Sequence, residues 1–388
     1  MRLALVTETF PPEVNGVSMT LGRLVNGLAG KGYQVQVVRP SQVSDLDEMG
    51  TSDSLYDELV MPGMPLPGYE GLRMGRPEGC RLLREWTAAK PDLVHVATEG
   101  PLGLAALWVA RVLQIPTSST FHTNFHQYTG HYKIGLIKDF ILVFLRITHN
   151  SCGCTLAPTK QMADELKAMG FKNTSVLSRG VDTELFSPDR RDEQLRAEWG
   201  AAPEDRVVAY VGRVASEKNI DLAVKAFRRS QTDSRKSIMV IVGDGPERLR
   251  LQTKYPDIVF AGMRKGEDLA RHYASSDIFL FPSITETFGN VVTEALSSGL
   301  AVVTYDYAAG RELIESGVDG LLATFDQPDQ FIESARVAMG LDAEALSTLR
   351  MQARETAMAV SWDRVIQEFK QSLEIVKNRD RKMYANAL

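Results

Sequence analysis

Two carboxylates, Glu286 and Glu294, lie in the stretch Thr285 to Gly299, TETFGNVVTEALSSG, in positions where they could bind a ligand. The apolar run Ile278–Phe281 just before it is typical of a buried strand, and the following proline ends that strand because proline cannot donate to a ladder. Helical spacing of apolar residues starts near Gly289. We therefore expect Glu286 in the loop before a helix and Glu294 about one turn inside that helix.

The start of this predicted helix is also a candidate anion site. Backbone N–H groups of Phe288, Gly289 and Asn290 would point outward without helical partners, and the helix dipole favours an anion by about 0.3–1 kcal/mol. Sugar hydroxyls need acceptors, which Glu286 and Glu294 would supply on either side. The stretch thus indicates a site for a phosphate joined to a sugar. The alternative is that Glu286 is an ordinary loop charge and Glu294 belongs to a solvated helix face.

A pair of cations forms a second candidate cluster. Arg213 and Lys218 follow the predicted strand Val207–Val211, on the loop at its carboxyl end. Such a pair suits a diphosphate, because arginine bonds phosphate oxygens in a fork and lysine acts as a compact charge. The alternative is a purely structural ion pair between Arg213 and Glu217.

A histidine occupies the corresponding position in the first half of the chain. His122 follows the predicted strand Thr117–Thr120, at the edge of the sheet where open α/β folds bind ligands. The alternative is a histidine whose hydrogen bonds only support the fold. His126 and His131 could join it as metal ligands, but no third carboxylate accompanies them, so the spacing gives a metal site little support.

The composition limits the class of protein. At 388 residues the chain is too long for one ordinary core, so we expect two domains. A net charge of −5 argues against nucleic-acid binding, and no apolar run reaches the roughly 18 residues of a membrane-spanning helix. The N-terminus is typical of a first strand and not of a signal peptide, and three cysteines suit a reducing cytoplasm. We therefore expect a cytoplasmic protein.

Strands and helices alternate in two series, which predicts two Rossmann-like domains. The first spans residues 1–177 together with a C-terminal helix at about 362–388, and the second spans 178–361. The fingerprint G-x-G-x-x-G does not follow the first predicted strand, Leu3–Val6, so an NAD enzyme is disfavoured. Residues 41–78 are rich in proline and glycine and are expected to be irregular.

Several motifs together resemble one enzyme family. The segments PPEVNGVS, FHTNFHQY, SRGVDTELFSP, GRVASEKN, GDGP and ETFGNVVTEALSSGLAVV occur in this order over nearly the whole chain. They resemble the retaining glycosyltransferases of family 4, most of all the branch of bacterial lipid mannosyl-, glucosyl- and sulfoquinovosyl-diacylglycerol transferases. The resemblance implies the α/β fold class known as GT-B. In that fold two Rossmann-like domains face a central cleft, and a C-terminal helix crosses back to the N-terminal domain.

The same resemblance implies roles for the candidate residues, with a nucleotide sugar, GDP-mannose or a UDP-hexose, as the donor. Four residues would be catalytic: His122, Arg213, Lys218 and Glu286. Five more would bind the donor: Gly16, Phe288, Gly289, Asn290 and Glu294. Arg213 and Lys218 would neutralise the diphosphate, Glu286 would bind the sugar hydroxyls, and Glu294 would hold the ribose. Gly16 would approach the phosphate, and His122 would lie near the transferred sugar.

Two departures from the family pattern affect these expectations. The family often has two glycines where this chain has Asn15-Gly16, which puts one close backbone approach in doubt. No Asp-x-Asp motif stands at a strand end. The resemblance therefore implies transfer without a metal or other cofactor, on one face of the sugar, with the leaving phosphate taking the proton of the acceptor.

The acceptor side is predicted from aromatic and basic residues. The set is Tyr128, His131, Tyr132 and Lys133. Such residues suit a membrane interface, so we expect a lipid or glycolipid acceptor and contact with the inner face of the cytoplasmic membrane. The apolar stretch 134–150 is expected to form a helix buried on all sides, with bilayer contact of its front end as the alternative.

Three other functions remain open from sequence. The acceptor could be a soluble or polyprenol-linked saccharide. The enzyme could be a nucleotide-sugar 2-epimerase, or the chain could be a non-catalytic subunit that only binds a sugar nucleotide.

Overall fold

The structure is a computed structural model, and it describes residues 1–13, 15–42, 55–65, 73–122, 135–232 and 235–385. The chain divides into two compact units, Met1–Ser178 with Asp363–Leu388, and Arg179–Trp362. Each unit is a parallel α/β sheet with its own hydrophobic core.

The first unit contains a seven-stranded sheet and a two-stranded hairpin. Its strands are β1 Arg2–Val6, β2 Gln34–Pro40, β3 Asp57–Met61, β4 Gly63–Pro65, β5 Arg73–Gly75, β6 Leu93–Val96, β7 Thr117–Thr120, β8 Cys154–Ala157 and β9 Thr174–Val176. The large sheet has the order β3-β2-β1-β6-β7-β8-β9 and is parallel in every pairing. Strands β4 and β5 pair antiparallel. The strand order reverses between β1 and β6, so the crevice expected to bind a ligand lies at their carboxyl ends.

Helices connect these strands and cover the sheet. They are α1 Gly16–Gly30, α2 Gly79–Ala88, α3 Pro101–Val112, α4 Gly135–Asn150 and α5 Lys160–Ala168. Helix α3 begins with proline, whose missing N–H has no helical partner at that position in any case. The aliphatic side chains of α2 and α3 pack with those of the central strands, and Trp86 is fully buried among them.

The second unit has six parallel strands. They are β10 Arg206–Val211, β11 Ser237–Val242, β12 Val259–Gly262, β13 Ile278–Phe281, β14 Ala301–Tyr305 and β15 Leu321–Ala323. Their order is β12-β11-β10-β13-β14-β15, which is the strand order of a Rossmann sheet. Strands β10, β13 and β14 are buried along their whole length, because helices cover both faces of such a sheet. Here the order reverses between β10 and β13.

The helices of the second unit follow its strands. They are α6 Glu193–Glu198, α7 Ile220–Arg229, α8 Arg248–Lys254, α9 Gly266–Ala274, α10 Asn290–Ser297, α11 Ala309–Leu313, α12 Pro328–Gly340 and α13 Ala343–Met358. The final helix, α14 Trp362–Ala385, starts at the last residue of this unit and otherwise belongs to the first. There Glu374 accepts a hydrogen bond from Tyr33 over 2.8 Å, and Lys377 pairs with Asp92 at 3.2 Å.

Two expectations about local structure are wrong. Residues 41–78 are not irregular throughout, because β3 and the β4–β5 hairpin lie within them. Strand β3 is an edge strand with exposed acidic residues at its start, which hides its alternation in the sequence.

Helix α4 is not buried on all sides, since Val143 and Ile147 are exposed while Leu145 and His149 are buried. Within the described ranges, no helix is both long and apolar enough to cross a membrane.

Candidate active site

The point where the strand order of the second unit reverses brings the predicted charges together. The loop after β10 carries Arg213 and Lys218, and the loop after the neighbouring strand β13 carries Glu286. Connections leave two such strands toward opposite faces of the sheet, so a crevice opens between their carboxyl ends. The structure therefore places these three residues in loops at the same edge of the sheet.

Lys218 and Glu286 form an ion pair in this crevice. Lys218 Nζ contacts Glu286 Oε1, and each side chain is 16% exposed. Ser283 Oγ donates a hydrogen bond to the same oxygen over 2.7 Å. Lys218 ends a short 3₁₀ turn, and Asn219, with φ of 54°, leads from it into α7. The turn and the loop after β13 therefore hold opposite charges against each other at the edge of the sheet.

Two residues not predicted from sequence support Glu286. Tyr307 Oη donates to the backbone carbonyl of Glu286 over 2.7 Å. Arg179 is buried close enough for its charge to interact with that of Glu286. Tyr307 follows β14, the next strand in the sheet, so the rule that ligands bind at carboxyl ends could have suggested it. For Arg179 the sequence offers only its place in the SRGVD motif.

Arg213 forms the ion pair with Glu217 that the sequence offers as the alternative to a diphosphate site. Its guanidinium contacts the Glu217 carboxylate four residues later, and the Arg213 side chain is 65% exposed. Burial alone would raise the pKa of Glu217, but the hydrogen bond and charge of Arg213 lower it. An exposed pair of this kind contributes little stability and opens easily. Arg213 as a diphosphate ligand thus stays a prediction.

The turn after β11 packs against the Arg213 loop. Val214 N donates to the Asp244 carbonyl over 2.9 Å, and Glu247 N donates to the Val214 carbonyl over 3.0 Å. Gly245 has φ of 157°, and a Cβ there would overlap the Val214 carbonyl. The GDGP motif therefore shapes this loop through close backbone contact.

Helix α10 begins where the sequence placed an anion site. Gly289 precedes it with φ of 94°, a conformation that favours glycine. The Phe288 side chain is buried in the core, so a ligand could reach only its backbone. Asn290 is the first residue of the helix. Donor binding by Phe288, Gly289 and Asn290 stays a prediction.

Glu294 lies inside α10 and is tied to the neighbouring helix α9. Tyr273 Oη donates a hydrogen bond to Glu294 Oε2 over 2.9 Å. Burial raises the pKa of Glu294 to about 7, and this hydrogen bond offsets only part of the rise. The carboxyl group is therefore partly protonated near neutral pH. Its role as a ribose ligand remains a prediction.

In the first unit, the helix after β1 carries its own cap. Asn15 Oδ1 accepts hydrogen bonds from Val17 N at 3.1 Å and Ser18 N at 2.8 Å. Gly16 is the first residue of α1. Asn15, which stands where the family often has glycine, thus satisfies the helix terminus that could otherwise receive an anion.

His122 lies two residues beyond β7 and is partly buried. The preceding Phe121 is fully buried and packs against the ring of His149, with 5.3 Å between centroids. His149 Nε2 lies 2.9 Å from Glu99 Oε1, and its Nδ1 lies 2.9 Å from Ser119 Oγ. This buried chain of polar groups was not predicted.

One group of predicted residues, on the acceptor side, is not among those that the structure describes. Tyr128, His131, Tyr132 and Lys133, on the acceptor side, fall outside the described residues, as does His126. In the ranges that the structure does describe, no group of three or more His, Cys, Asp or Glu side chains could hold a metal ion.

Comparison with known proteins identifies the family. A family model described as Glycosyltransferase Family 4 matches residues 14–185, and one described as Glycosyl transferases group 1 matches residues 205–339. The chain is 33% identical over 387 residues to a GDP-mannose-dependent alpha-mannosyltransferase of Mycobacterium tuberculosis, covering 98% of both chains. The chain belongs to glycosyltransferase family 4. It is therefore an enzyme of the glycosyltransferase class, as its motifs predicted.

Two further relatives match a smaller share of the chain. A GDP-mannose-dependent alpha-mannosyltransferase of Corynebacterium glutamicum is 35% identical over 325 residues, covering 83% of this chain and 76% of the relative. The sulfoquinovosyl transferase SQD2 of Arabidopsis thaliana is 28% identical, covering 93% of this chain and 71% of that relative.

A solved structure supports the fold assignment of this glycosyltransferase. The Anabaena protein HepE, determined with UDP and glucose, superposes with a TM-score of 0.75 at 18% identity. The match covers 96% of this chain and 99% of HepE. At 18% identity, the match supports the fold and nothing further. The predicted GT-B fold class is confirmed.

Proposed function

We propose that this glycosyltransferase moves a hexose from a nucleotide sugar to a lipid or glycolipid acceptor, with GDP-mannose as the donor to test first. The observation that carries the donor is the similarity to a GDP-mannose-dependent alpha-mannosyltransferase over 98% of both chains. The lipid acceptor is supported by another relative, the alpha-monoglucosyldiacylglycerol synthase of Acholeplasma laidlawii, which is 27% identical over 91% of this chain.

The residues after β10 and β13 would supply the chemistry. Arg213 and Lys218 would bind the diphosphate and stabilise the negative charge that grows on it as it leaves. Glu286 would accept hydrogen bonds from the sugar hydroxyls and hold the anomeric carbon in place. His122, on the first unit, is proposed to contact the transferred sugar.

The reaction itself needs no covalent intermediate with the protein. The acceptor oxygen forms a bond to the anomeric carbon, and the bond from that carbon to the phosphate oxygen breaks. The acceptor hydroxyl gives its proton to the leaving phosphate. Both events on one face of the sugar retain the anomeric configuration, and we propose that no metal takes part. Proton NMR of the product, and turnover unchanged by EDTA, would support these two points. Inversion or loss of turnover would refute them.

Transfer can be tested with purified protein, GDP-mannose or UDP-glucose, and a bacterial lipid extract. We expect labelled mannose to enter the organic phase with GDP-mannose and much less label with UDP-glucose. Incubation with donor alone is the control, because a 2-epimerase would convert the donor without any acceptor. Glu286→Gln should lower kcat with a modest change in donor KM. Label found only on soluble saccharides would contradict the lipid acceptor.

Contact with the cytoplasmic face of a membrane is a further part of the proposal. It rests on the basic and aromatic residues Tyr128 to Lys133 and on the exposed apolar side chains Val143 and Ile147 of α4. Flotation with liposomes should recover the protein with anionic lipid at low salt and release it at high salt. Protein that stays in solution under every condition would contradict it.

A further inference from the structure

Glu286 receives two donors on a single oxygen. Lys218 Nζ contacts its Oε1, and Ser283 Oγ donates to the same atom over 2.7 Å. Tyr307 Oη holds the backbone carbonyl of Glu286 at 2.7 Å. The carboxylate is thus fixed from its side chain and its backbone, in a position where it neutralises Lys218.

A diphosphate at this site would require the same ammonium group. Lys218 has three N–H donors and could touch both anions, but its single positive charge cannot neutralise both. The two anions would also repel each other across a crevice in which Lys218 and Glu286 are largely shielded from water. Glu286 and a diphosphate therefore compete for Lys218.

A second cation, Arg179, interacts electrostatically with Glu286. Arg179 is 4% exposed. Burial lowers the pKa of Arg179 to about 10, while the charge of Glu286 acts in the opposite direction. The guanidinium group therefore remains charged at neutral pH. Arginine also sheds water more readily than lysine, which suits it to a buried position.

The backbone around Arg179 is held in place within the second unit. Val181 N donates to the Val360 carbonyl over 3.1 Å. Gly180 packs so closely on Trp362 that a Cβ on the glycine would lie 2.8 Å from the Trp362 Cα. Arg179 is therefore anchored, whereas Lys218 sits at the end of a short turn on a flexible side chain.

We propose that the Lys218–Glu286 ion pair is a latch across the donor site, which a nucleoside diphosphate opens, and that Arg179 is the positioning residue that retains Glu286 afterwards. The proposal rests on the proposed function, because it assigns the diphosphate to Lys218. On opening, Lys218 Nζ moves from the carboxylate to the phosphate oxygens, with no covalent change. Arg179 then balances the charge of Glu286, whose carboxylate oxygens can accept hydrogen bonds from the sugar hydroxyls.

Calorimetric titration of GDP and UDP into the whole protein tests the latch. The Glu286→Gln variant should bind the preferred diphosphate about three- to tenfold more tightly than wild type, because Lys218 no longer has a charged partner to leave. The same variant should transfer sugar more slowly. Guanosine and uridine, which carry no phosphate, should bind wild type and variant equally. Diphosphate affinity that is unchanged or weaker in Glu286→Gln would overturn the latch.

Arg179 is tested by a double-mutant cycle with the same titration. Arg179→Gln should weaken diphosphate binding about three- to tenfold, because Glu286 then holds Lys218 more strongly. In the Glu286→Gln background the same change should matter less than twofold. A loss of equal size in both backgrounds would mean that Arg179 binds the phosphate directly, and would overturn its role as a positioning residue.

A charge-preserving variant covers the case in which Arg179→Gln does not fold. Arg179→Lys should keep diphosphate affinity within about twofold of wild type in both backgrounds, because only the charge is required. A large loss would overturn the proposal.

The outcomes separate the latch from the proposed function. If wild type binds neither GDP nor UDP, the latch and the donor site both fail. If wild type binds GDP and transfers mannose, but Glu286→Gln does not bind GDP more tightly, only the latch fails.

Discussion

The two ends of strand β13 each carry a carboxylate paired with cations, yet the two arrangements differ. At the amino end, Asp277 is 7% exposed and meets Arg191 at 3.0 Å, Arg196 at 3.0 Å and Arg350 at 3.2 Å. Val207 N also donates to it over 2.8 Å. Burial would raise the pKa of Asp277, but the three guanidinium groups together lower it.

At the carboxyl end the arrangement is sparser and more open. Glu286 meets one lysine and one serine hydroxyl, and its side chain is 16% exposed. A buried carboxylate with three arginines can exchange none of its partners without leaving a charge uncompensated. A partly exposed pair can exchange a partner for a ligand. We therefore propose that the amino end of β13 maintains the fold, and that the carboxyl end takes part in the reaction.

The largest effect should follow from Asp277→Asn. Removing the negative charge leaves three buried or half-buried guanidinium groups without their anion, which should cost about 3–5 kcal/mol of unfolding free energy. Urea denaturation measures this. Because the pKa of Asp277 is lowered in the native state, its contribution to stability is full above the unfolded-state pKa. That contribution should be lost as pH falls through the lower native-state pKa.

A control variant and a turnover measurement test the prediction for Asp277→Asn. The control Asp257→Asn breaks an exposed pair with Arg228 and should change the free energy of unfolding little. Turnover per folded molecule should stay at the wild-type level in Asp277→Asn. A loss of turnover as severe as that from a change at Lys218 would show that the two ends of β13 are not separate in function.

At the other end of the strand, Lys218→Ala and Arg213→Ala should lower turnover about 10²-fold or more, because charge stabilisation of the leaving diphosphate is lost. Stability should change little in Arg213→Ala, since that side chain is exposed. Steady-state kinetics and thermal unfolding measure the two effects. Arg264→Ala, which breaks another exposed pair four residues apart, is the matched control. A near-normal rate would remove the residue concerned from the diphosphate role.

The sequence predicts one end of β13 better than the other. The bounds Ile278–Phe281 follow correctly from an apolar run between polar residues and a proline, and the position of Glu286 follows from them. The Asp277 network could not be predicted, because Arg191, Arg196 and Arg350 are distant in sequence and only the fold brings them together. The alternation of strands and helices therefore predicts which charged residues lie in loops at the ends of strands. It does not predict which residues those charges pair with.

The same limit applies to residues that assist the candidate site. Ser283 lies inside the predicted motif, whereas Tyr307 comes from the loop after a different strand. The Arg213–Glu217 pair could be considered from sequence because its residues are four apart. The edge strand β3 was missed because exposed acidic residues interrupt its apolar pattern.

Glu8 tests whether every carboxylate at a carboxyl end serves the reaction. It follows β1, where Gly75 N donates to its Oε2 over 2.6 Å and Leu102 N to its Oε1 over 3.1 Å. Glu8→Ala would leave these donors unsatisfied and should cost about 1–3 kcal/mol of unfolding free energy. Glu8→Gln keeps an acceptor and should cost less. If Glu8→Gln folds as wild type but loses turnover about 10²-fold, Glu8 takes part in the reaction and not only in the fold.

The smallest effect concerns Glu294, one turn beyond the Glu286 loop. Burial raises the pKa of Glu294 to about 7. Between about pH 4.5 and pH 7, Glu294 is therefore protonated in the native state but ionised in the unfolded chain. Its contribution to the free energy of unfolding is full below about pH 4.5 and declines as pH rises to about 7. We expect a decline of about 1 kcal/mol, smaller than the pKa alone suggests because the side chain is partly exposed.

Chemical denaturation at pH 5.0 and pH 7.5 measures this decline, and Glu294→Gln should remove it, because glutamine does not titrate. Donor binding sharpens the test. If ribose hydroxyls donate to Glu294, they favour its charged form and lower its pKa, so binding near pH 6.5 should release a proton. Calorimetry in two buffers of different ionisation enthalpy detects that proton, and Glu294→Gln should not release it. Donor binding without proton release in wild type would separate Glu294 from the ribose and leave it, like Asp277, as a carboxylate of the fold.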